Sequence, residues 1–313
     1  MSAAVPAVFL GTSDFAADVL RVLAASGQRP QLVVTPPDRR SGRGRKVSPP
    51  AAAVVAGELG IELYQTSSVN DPASREAVLA SGPELGVVCA FGQLIGADLL
   101  AALPMLNAHP SLLPRWRGAA PIERALMAGD AVTGTCVMRL EEGLDSGPVA
   151  LRAEVRIEPD ETYGSLAPRL ADLSGALLTD ALDLHAAGEL EERFATQPDE
   201  GITYAEKIEA SDRIVDPQQP ASTEDARIRA LTPHIGAALR LGGSEGGERL
   251  GLRSAGVVSS QLAPGEFAAD GDALLLGCAE GAVRVSELQP AGKRWMAAVD
   301  YLRGYGVPPS PPR

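Results

Sequence analysis

Residues 85–109, LGVVCAFGQLIGADLLAALPMLNAH, decide the fold. Leu85 to Ala90 is a near-continuous apolar run, the pattern of a strand buried on both faces of a parallel sheet. A helix is expected near Ala97–Leu103 and a second strand over Leu106–His109, so the stretch reads as one crossover unit. Working outward, the same alternation recurs. Upstream, Ala7 to Leu10 reads as a strand stopped by Gly11. Ser13 can cap a helix whose apolar positions Phe15, Val19, Val22 and Leu23 share one face, with Gly27 ending it. Leu32 to Thr35 is a strand, Ala51 to Gly60 a helix, Ile61 to Tyr64 a strand, and Asp71-Pro72 opens another helix. Downstream, Thr135–Leu140 and Val149–Val155 read as strands. Leu166, Leu170, Leu173, Leu177 and Leu184 trace one face of a long helix that Gly188 terminates, with Pro168 expected in its first turn. The whole of 1–188 is therefore expected to be an α/β domain on an open, mostly parallel sheet.

Two segments break the rhythm. Residues 36–50, PPDRRSGRGRKVSPP, have no periodicity and are expected as a loop. Residues 189–206, ELEERFATQPDEGITYAE, are polar and read as a linker. From 207 to 313 the pattern changes to short strands separated by Gly-rich turns such as GGSEGGERLGL and DGDALLLG, which points to a small β-barrel domain. A length of 313 residues is comfortable for two such domains.

Composition narrows the function. Hydrophobic residues make up 45% and charged residues 22%, which excludes disorder over most of the chain. No apolar run approaches the ~20 residues of a membrane span. The start, MSAAVPAVFLG, lacks a basic leader region and runs straight into a strand pattern. Three scattered cysteines, Cys89, Cys136 and Cys278, form no CxxC and leave an odd thiol, so neither a disulfide framework nor a zinc site is expected, and a reducing cytoplasm fits. Of the net charge of −12, residues 1–206 carry a net −11. So acidic a chain cannot hold nucleic acid by a general electrostatic footprint. A local patch exists, however: Arg39, Arg40, Arg43, Arg45 and Lys46 lie within eight residues, interleaved with Gly42 and Gly44.

In an open α/β sheet, ligands bind beyond the carboxyl ends of the strands. After the first strand comes GTSDF, which lacks the GxGxxG of a dinucleotide site, and no GxxxxGK[ST] occurs. The informative stretch is Asn107-Ala108-His109-Pro110-Ser111-Leu112-Leu113-Pro114. Asn107 and His109, two apart on a strand, point to one side. Pro110 holds His109 extended, and Pro114 closes a stiff loop around an apolar Leu112-Leu113 step. Further on, EEGLDSG (141–147) brackets Asp145 with glycines, so that loop can turn an acid back towards His109. A carboxamide, an imidazole and a carboxylate form a set for acyl transfer to an amine. The amide N–H can stabilise an oxyanion, the imidazole can move the proton, and the acid can fix the imidazole tautomer and stabilise its cation. Cys89 and Cys136 lie within strand patterns and read as buried small hydrophobes, so direct attack by a partly neutral amine suffices. Spacing alone leaves other readings open: Asn107 as a turn former, His109 as a structural histidine like His185 and His234, Asp145 as a loop acid, and the arginine run as a solvated loop.

The segment NAHPSLLPRWRGAAP (107–121) with EEGLDSG resembles the folate-dependent formyltransferases. GTSDFA (11–16), PDRRSGRGRKVSPP (37–50), TYAEKI (203–208) and QPAGKRWM (289–296) resemble, more narrowly, the branch of that family that acts on methionyl-tRNA. The resemblance runs from the first strand to near the C-terminus. It implies a Rossmann-like formyltransferase domain followed by an OB-like barrel that grips tRNA. It implies that Asn107, His109 and Asp145 are catalytic, and that Ser111, Leu112, Leu113 and Pro114 line the site of 10-formyltetrahydrofolate together with Phe91 and Gly92. The loop carrying Arg39, Arg40, Gly42, Arg43, Gly44, Arg45 and Lys46 would insert at the acceptor end of initiator methionyl-tRNA and fold on binding. No metal, no membrane and a monomer are expected. Three departures stand out: Ser13 replaces a usual proline, Leu231-Thr232-Pro233-His234 replaces a tryptophan-containing stretch and so lacks its stacking residue, and the C-terminal domain is nearly neutral.

Overall fold

The computed structural model describes residues 4–41, 46–241 and 248–309, and the chain divides into two compact units. The first comprises Met1–Pro121, Val132–Arg156 and Ala167–Ala205; the second comprises Ile122–Ala131, Ile157–Leu166 and Glu206–Arg313.

The first unit opens with β1 (Ala7–Gly11), α1 (Asp14–Ala25), β2 (Leu32–Thr35), β3 (Arg39–Ser41), β4 (Lys46–Ser48) and α2 (Ala51–Leu59). There follow β5 (Glu62–Gln65), α3 (Pro72–Ala80), β6 (Leu85–Cys89), α4 (Ala97–Ala102), β7 (Met105–His109) and β8 (Arg117–Gly118). After α5 (Pro121–Met127), which belongs almost wholly to the second unit, come β9 (Val132–Arg139), β10 (Val149–Arg156), α6 (Tyr163–Ala186), whose first four residues also belong to the second unit, and β11 (Tyr204–Ala205). Seven strands make one sheet in the order β10-β9-β7-β6-β1-β2-β5. The five from β7 to β5 are parallel, while β9 and β10 pair antiparallel. Every residue of β1, β6 and β7 is buried, which explains their unbroken apolar runs, whereas the edge strand β10 alternates. Ser13 caps α1, its Oγ accepting from the Ala16 N–H at 3.3 Å. Gly175 lets α6 lie against α1, since a Cβ there would meet Val22 at 2.5 Å. Pro168 is the sixth residue of α6 rather than in its first turn, so it cannot donate to the Gly164 carbonyl.

The two segments read as irregular are both organised. Within 36–50, β3 and β4 pair antiparallel, Arg39 against Ser48 and Arg40 against Val47. Apolar periodicity fails to reveal this hairpin because the hairpin buries so little, Val47 being 61% exposed. Its tip, residues 42–45 with Gly42, Arg43, Gly44 and Arg45, lies outside the described residues. The 189–206 segment, expected as a linker, is fastened to the first unit. Leu190 is buried, Ala195 bridges to Val149, Gln197 is buried, and β11 pairs parallel with β8. Its fastenings are mostly hydrogen bonds, so its sequence stays polar.

In the second unit, α7 (Ala221–Leu231) is followed by β12 (Ala237–Arg240), β13 (Arg249–Val258), β14 (Phe267–Asp270), β15 (Ala273–Gly277), β16 (Ala282–Gln289), β17 (Met296–Ala297) and α8 (Ala298–Tyr305). The strands form one antiparallel sheet in the order β12-β13-β16-β15-β14, with β17 beside β16. Leu250, Leu252, Leu274, Leu276, Val283 and Val285 pack under Ile228 and Leu231 of α7 and Tyr301 of α8. In the stretch that lacks the usual tryptophan, His234 makes a ring stack of its own. Its ring lies 3.6 Å from that of Tyr163, and its Nε2 is 3.0 Å from Glu123 Oε1. Among the described residues, no helix is long and apolar enough to cross a membrane.

Candidate active site

The site grows from the end of β7. Asn107 and His109 stand on one face and are 8% and 4% exposed. Across the antiparallel ladder, Met138 and Cys136 of β9 lie directly opposite them and join Leu113 and Val149 in a small buried cluster. The third member arrives by a detour. Because β9 runs antiparallel to β7, its end at Arg139 sits beside Leu106, at the start of β7. The 140–148 loop must therefore double back by about 10 Å, some three strand residues, to reach His109. It does so with Asp145 in a left-handed conformation at φ +45°, a region that aspartate tolerates better than most residues.

Asp145 is the hub of what results. Its Oδ1 accepts from Asn107 Nδ2 at 3.3 Å, its Oδ2 accepts from the Gly118 N–H at 2.8 Å, and Oδ2 lies 3.6 Å from His109 Nδ1. The other imidazole nitrogen, Nε2, is 2.8 Å from the Trp116 carbonyl. A carbonyl only accepts, so Nε2 carries hydrogen and Nδ1 is the atom left to exchange a proton with its surroundings. Asn107 has a second amide hydrogen beyond the one given to Asp145. An amide donor, a proton-exchanging nitrogen and a carboxylate thus converge on one spot, which is the equipment for moving an acyl group onto an amine.

The remaining expected residues are divided by the structure. Ser111 is fully buried and donates its hydroxyl to the Arg115 carbonyl at 2.6 Å, while Leu113 is 1% exposed and belongs to the core. Leu112 and Pro114 are partly exposed and form the open part of that loop. Phe91 is buried, and its carbonyl accepts from Thr12 Oγ at 2.5 Å, which ties the loops after β1 and β6 together at the point where strand order reverses. Gly92, beside it, is exposed at φ +76°. Arg39 is exposed on β3; Arg40 and Lys46 are in the hairpin strands. Burial holds the thiols of Cys89 and Cys136 above the usual range. Among the described residues, no group of histidine, cysteine and carboxylate side chains could hold a metal ion.

Residues 6–182 match the family profile of the formyl transferases, and residues 207–306 match that of the formyl transferase C-terminal domain. The chain belongs to the formyl transferase family. A methionyl-tRNA formyltransferase of Parvibaculum lavamentivorans is 42% identical over 305 residues, covering 96% of this chain and 97% of the relative. One from Methylococcus capsulatus is 40% identical, covering 96% and 97%. Among solved structures, HypX from Aquifex aeolicus in complex with tetrahydrofolic acid aligns with TM-score 0.62 at 18% identity, over 95% of this chain and 46% of HypX. The sugar 3N-formyl transferase WlaRD aligns with TM-score 0.62 at 12% identity, over 93% and 99%. These two likenesses concern the fold.

Sequence reading missed the framework around these three side chains. Trp116, Arg117 and Gly118 lie within the quoted motif but carry no spacing signal of their own. Gln197 sits in a stretch whose polarity reads as solvation, and nothing in that stretch marks one glutamine as buried.

Proposed function

We propose that this chain transfers the formyl group of 10-formyltetrahydrofolate to the α-amino group of methionyl-initiator-tRNA, with Asn107, His109 and Asp145 as its catalytic residues. The observation that carries this reading is the convergence of Asn107 and His109 on the two carboxylate oxygens of Asp145. Relatives near 40% identity over nearly the whole chain support the choice of acceptor.

As the amine nitrogen bonds to the formyl carbon, the free N–H of Asn107 donates to the oxygen that gains charge. His109 Nδ1 takes the proton the amine sheds and returns one to the nitrogen that departs when the old carbon–nitrogen bond breaks. Asp145 steadies the imidazolium through Oδ2. Leu112, Pro114 and the exposed backbone of Gly92 form a partly apolar, partly polar lining that suits a flat heteroaromatic co-substrate, with Ser111, Leu113 and Phe91 supporting it from beneath. Folate supplies the formyl carbon when bound. Residues 39–46 contact the tRNA acceptor end, and the second unit grips the rest of the tRNA. In this reading the enzyme works as a metal-independent monomer in the cytoplasm.

The test is acceptor choice. Incubation with 10-formyltetrahydrofolate and either methionyl-tRNA or glycinamide ribonucleotide is expected to formylate only the tRNA. Transfer to the ribonucleotide or to an amino sugar nucleotide, and none to methionyl-tRNA, would overturn the acceptor while keeping the chemistry.

A further inference from the structure

Gln197 is 6% exposed, and all four hydrogen-bonding positions of its amide are used. Its Nε2 donates to the Asp145 carbonyl and the Gly147 carbonyl, each at 2.8 Å. Its Oε1 accepts from Arg117 Nε at 3.1 Å and from Arg117 Nη2 at 2.8 Å. The orientation of the amide is thereby fixed, because turning it over would set an oxygen against two carbonyls and an NH2 against a guanidinium. The partners matter as much as the number of bonds. One side of the amide holds the backbone of Asp145 at its left-handed φ. The other side holds Arg117, whose neighbour Gly118 gives its N–H to Asp145 Oδ2. Gly118 in turn packs so closely on β11 that a Cβ there would meet the Ala205 carbonyl oxygen at 2.7 Å.

We propose that Gln197 is a positioning residue for formyl transfer, locking the Asp145 loop to the Arg117–Gly118 strand so that the carboxylate is aimed at His109 before substrate arrives. The 189–206 segment then contributes to the site through the backbone and the arginine that Gln197 holds in place. The same segment also steadies the His109 side. Thr203 Oγ accepts from the Trp116 N–H at 2.9 Å, and Trp116 offers its carbonyl to His109 Nε2. Holding a left-handed aspartate in a loop that must double back requires bonds at both its backbone and its carboxylate. Gln197 provides the first and secures the donor of the second.

This inference rests on the proposed role of Asp145, and a double-mutant cycle separates the two. Gln197→Glu removes both N–H donors yet keeps an acceptor for Arg117. It is expected to lower kcat for methionyl-tRNA about 10–100-fold, the cost of an active-site group misplaced by about 1 Å, with both KM values within about threefold. Asp145→Asn is expected to lose about 10²–10⁴-fold in kcat. In the Asp145→Asn background, Gln197→Glu should cost less than about twofold further, because there is no longer a carboxylate to aim. Full losses from both single variants that multiply in the double variant would make Gln197 a general structural residue and overturn the proposal, as would an unchanged kcat for Gln197→Glu. If Asp145→Asn is itself active, the reading beneath the inference fails. Circular dichroism and a thermal melt check folding. Should Gln197→Glu not fold, Arg117→Lys takes its place in the same cycle, with a smaller single loss that must likewise vanish beside Asp145→Asn.

Discussion

Cys136 stands directly across the ladder from His109 and is the candidate nucleophile to test if the acyl group travelled on the protein. It is fully buried among Leu113, Met138 and Val149, and burial raises its pKa, so thiolate is scarce. Direct transfer from donor to amine makes a distinct prediction. Cys136→Ala should keep kcat within about threefold while costing about 1 kcal/mol of stability for the lost packing; a loss of 10²-fold or more in kcat, with the fold intact, would mean a thioester intermediate. At this scale the sequence was partly legible. Strand alternation pairs Asn107 with His109, and the glycines around Asp145 foretell a turning loop. The bonding of Gln197 was not legible, since a buried glutamine and a solvated one are the same letter in a polar stretch. Ser111 and Leu113 were recognisable as neighbours of the site, but only the three-dimensional turn shows that their side chains face inward.

Elements were legible where they bury an apolar face and obscure where hydrogen bonds hold them. β1, β6 and β7 announce themselves as apolar runs, and the face of α6 is traced by its leucines. The hairpin β3–β4 and the pairing of β8 with β11 bury little apolar surface, so no periodicity records them. The same holds for the short 3-10 turn at Ser211–Arg213, which is fixed in the second unit by a fork of charge. Arg124 of α5 donates to Asp212 Oδ1 at 3.2 Å and to Oδ2 at 2.9 Å. The hydrogen bonds from Arg124, above all, hold the Asp212 carboxyl below the ordinary aspartate range. A carboxyl whose pKa falls on folding adds stability above its unfolded pKa of about 3.9 and loses that contribution as pH drops through the lower folded value. Asp212→Asn should therefore be less stable at pH 7 by about 1–2 kcal/mol in urea unfolding. The gap should close as pH falls below about 4. A gap that stays constant between pH 7 and pH 3 would contradict this account of the pair.

Across the whole molecule, the charge distribution sets how an acidic chain can hold an RNA. With a net charge of −12 and a sequence pI near 4.8, long-range attraction to phosphate is absent, and binding has to be concentrated in a few contacts. The proposed reading puts those contacts in the 39–46 segment, with its four arginines and one lysine. Arg43→Ala should weaken tRNA binding and reduce the slope of log affinity against log salt by about one; an unchanged slope would remove that arginine from the interface. The presence of an α/β part and an antiparallel β part was legible from the change of rhythm after residue 206, but the membership of Ile122–Ala131 and Ile157–Leu166 in the second unit was not, since both lie inside the stretch read as one α/β domain. The allegiance of 189–206 to the first unit was not, because polar anchorage leaves no hydrophobic trace. The claim on which everything else depends is that the imidazole at the end of β7 moves the proton during transfer. Its most direct measurement is the single-turnover rate of formylation of methionyl-tRNA by folded His109→Ala at saturating 10-formyltetrahydrofolate. The account expects that rate to fall about 10²–10⁴-fold with folate affinity held within about threefold; a rate within tenfold of the unsubstituted enzyme would contradict it.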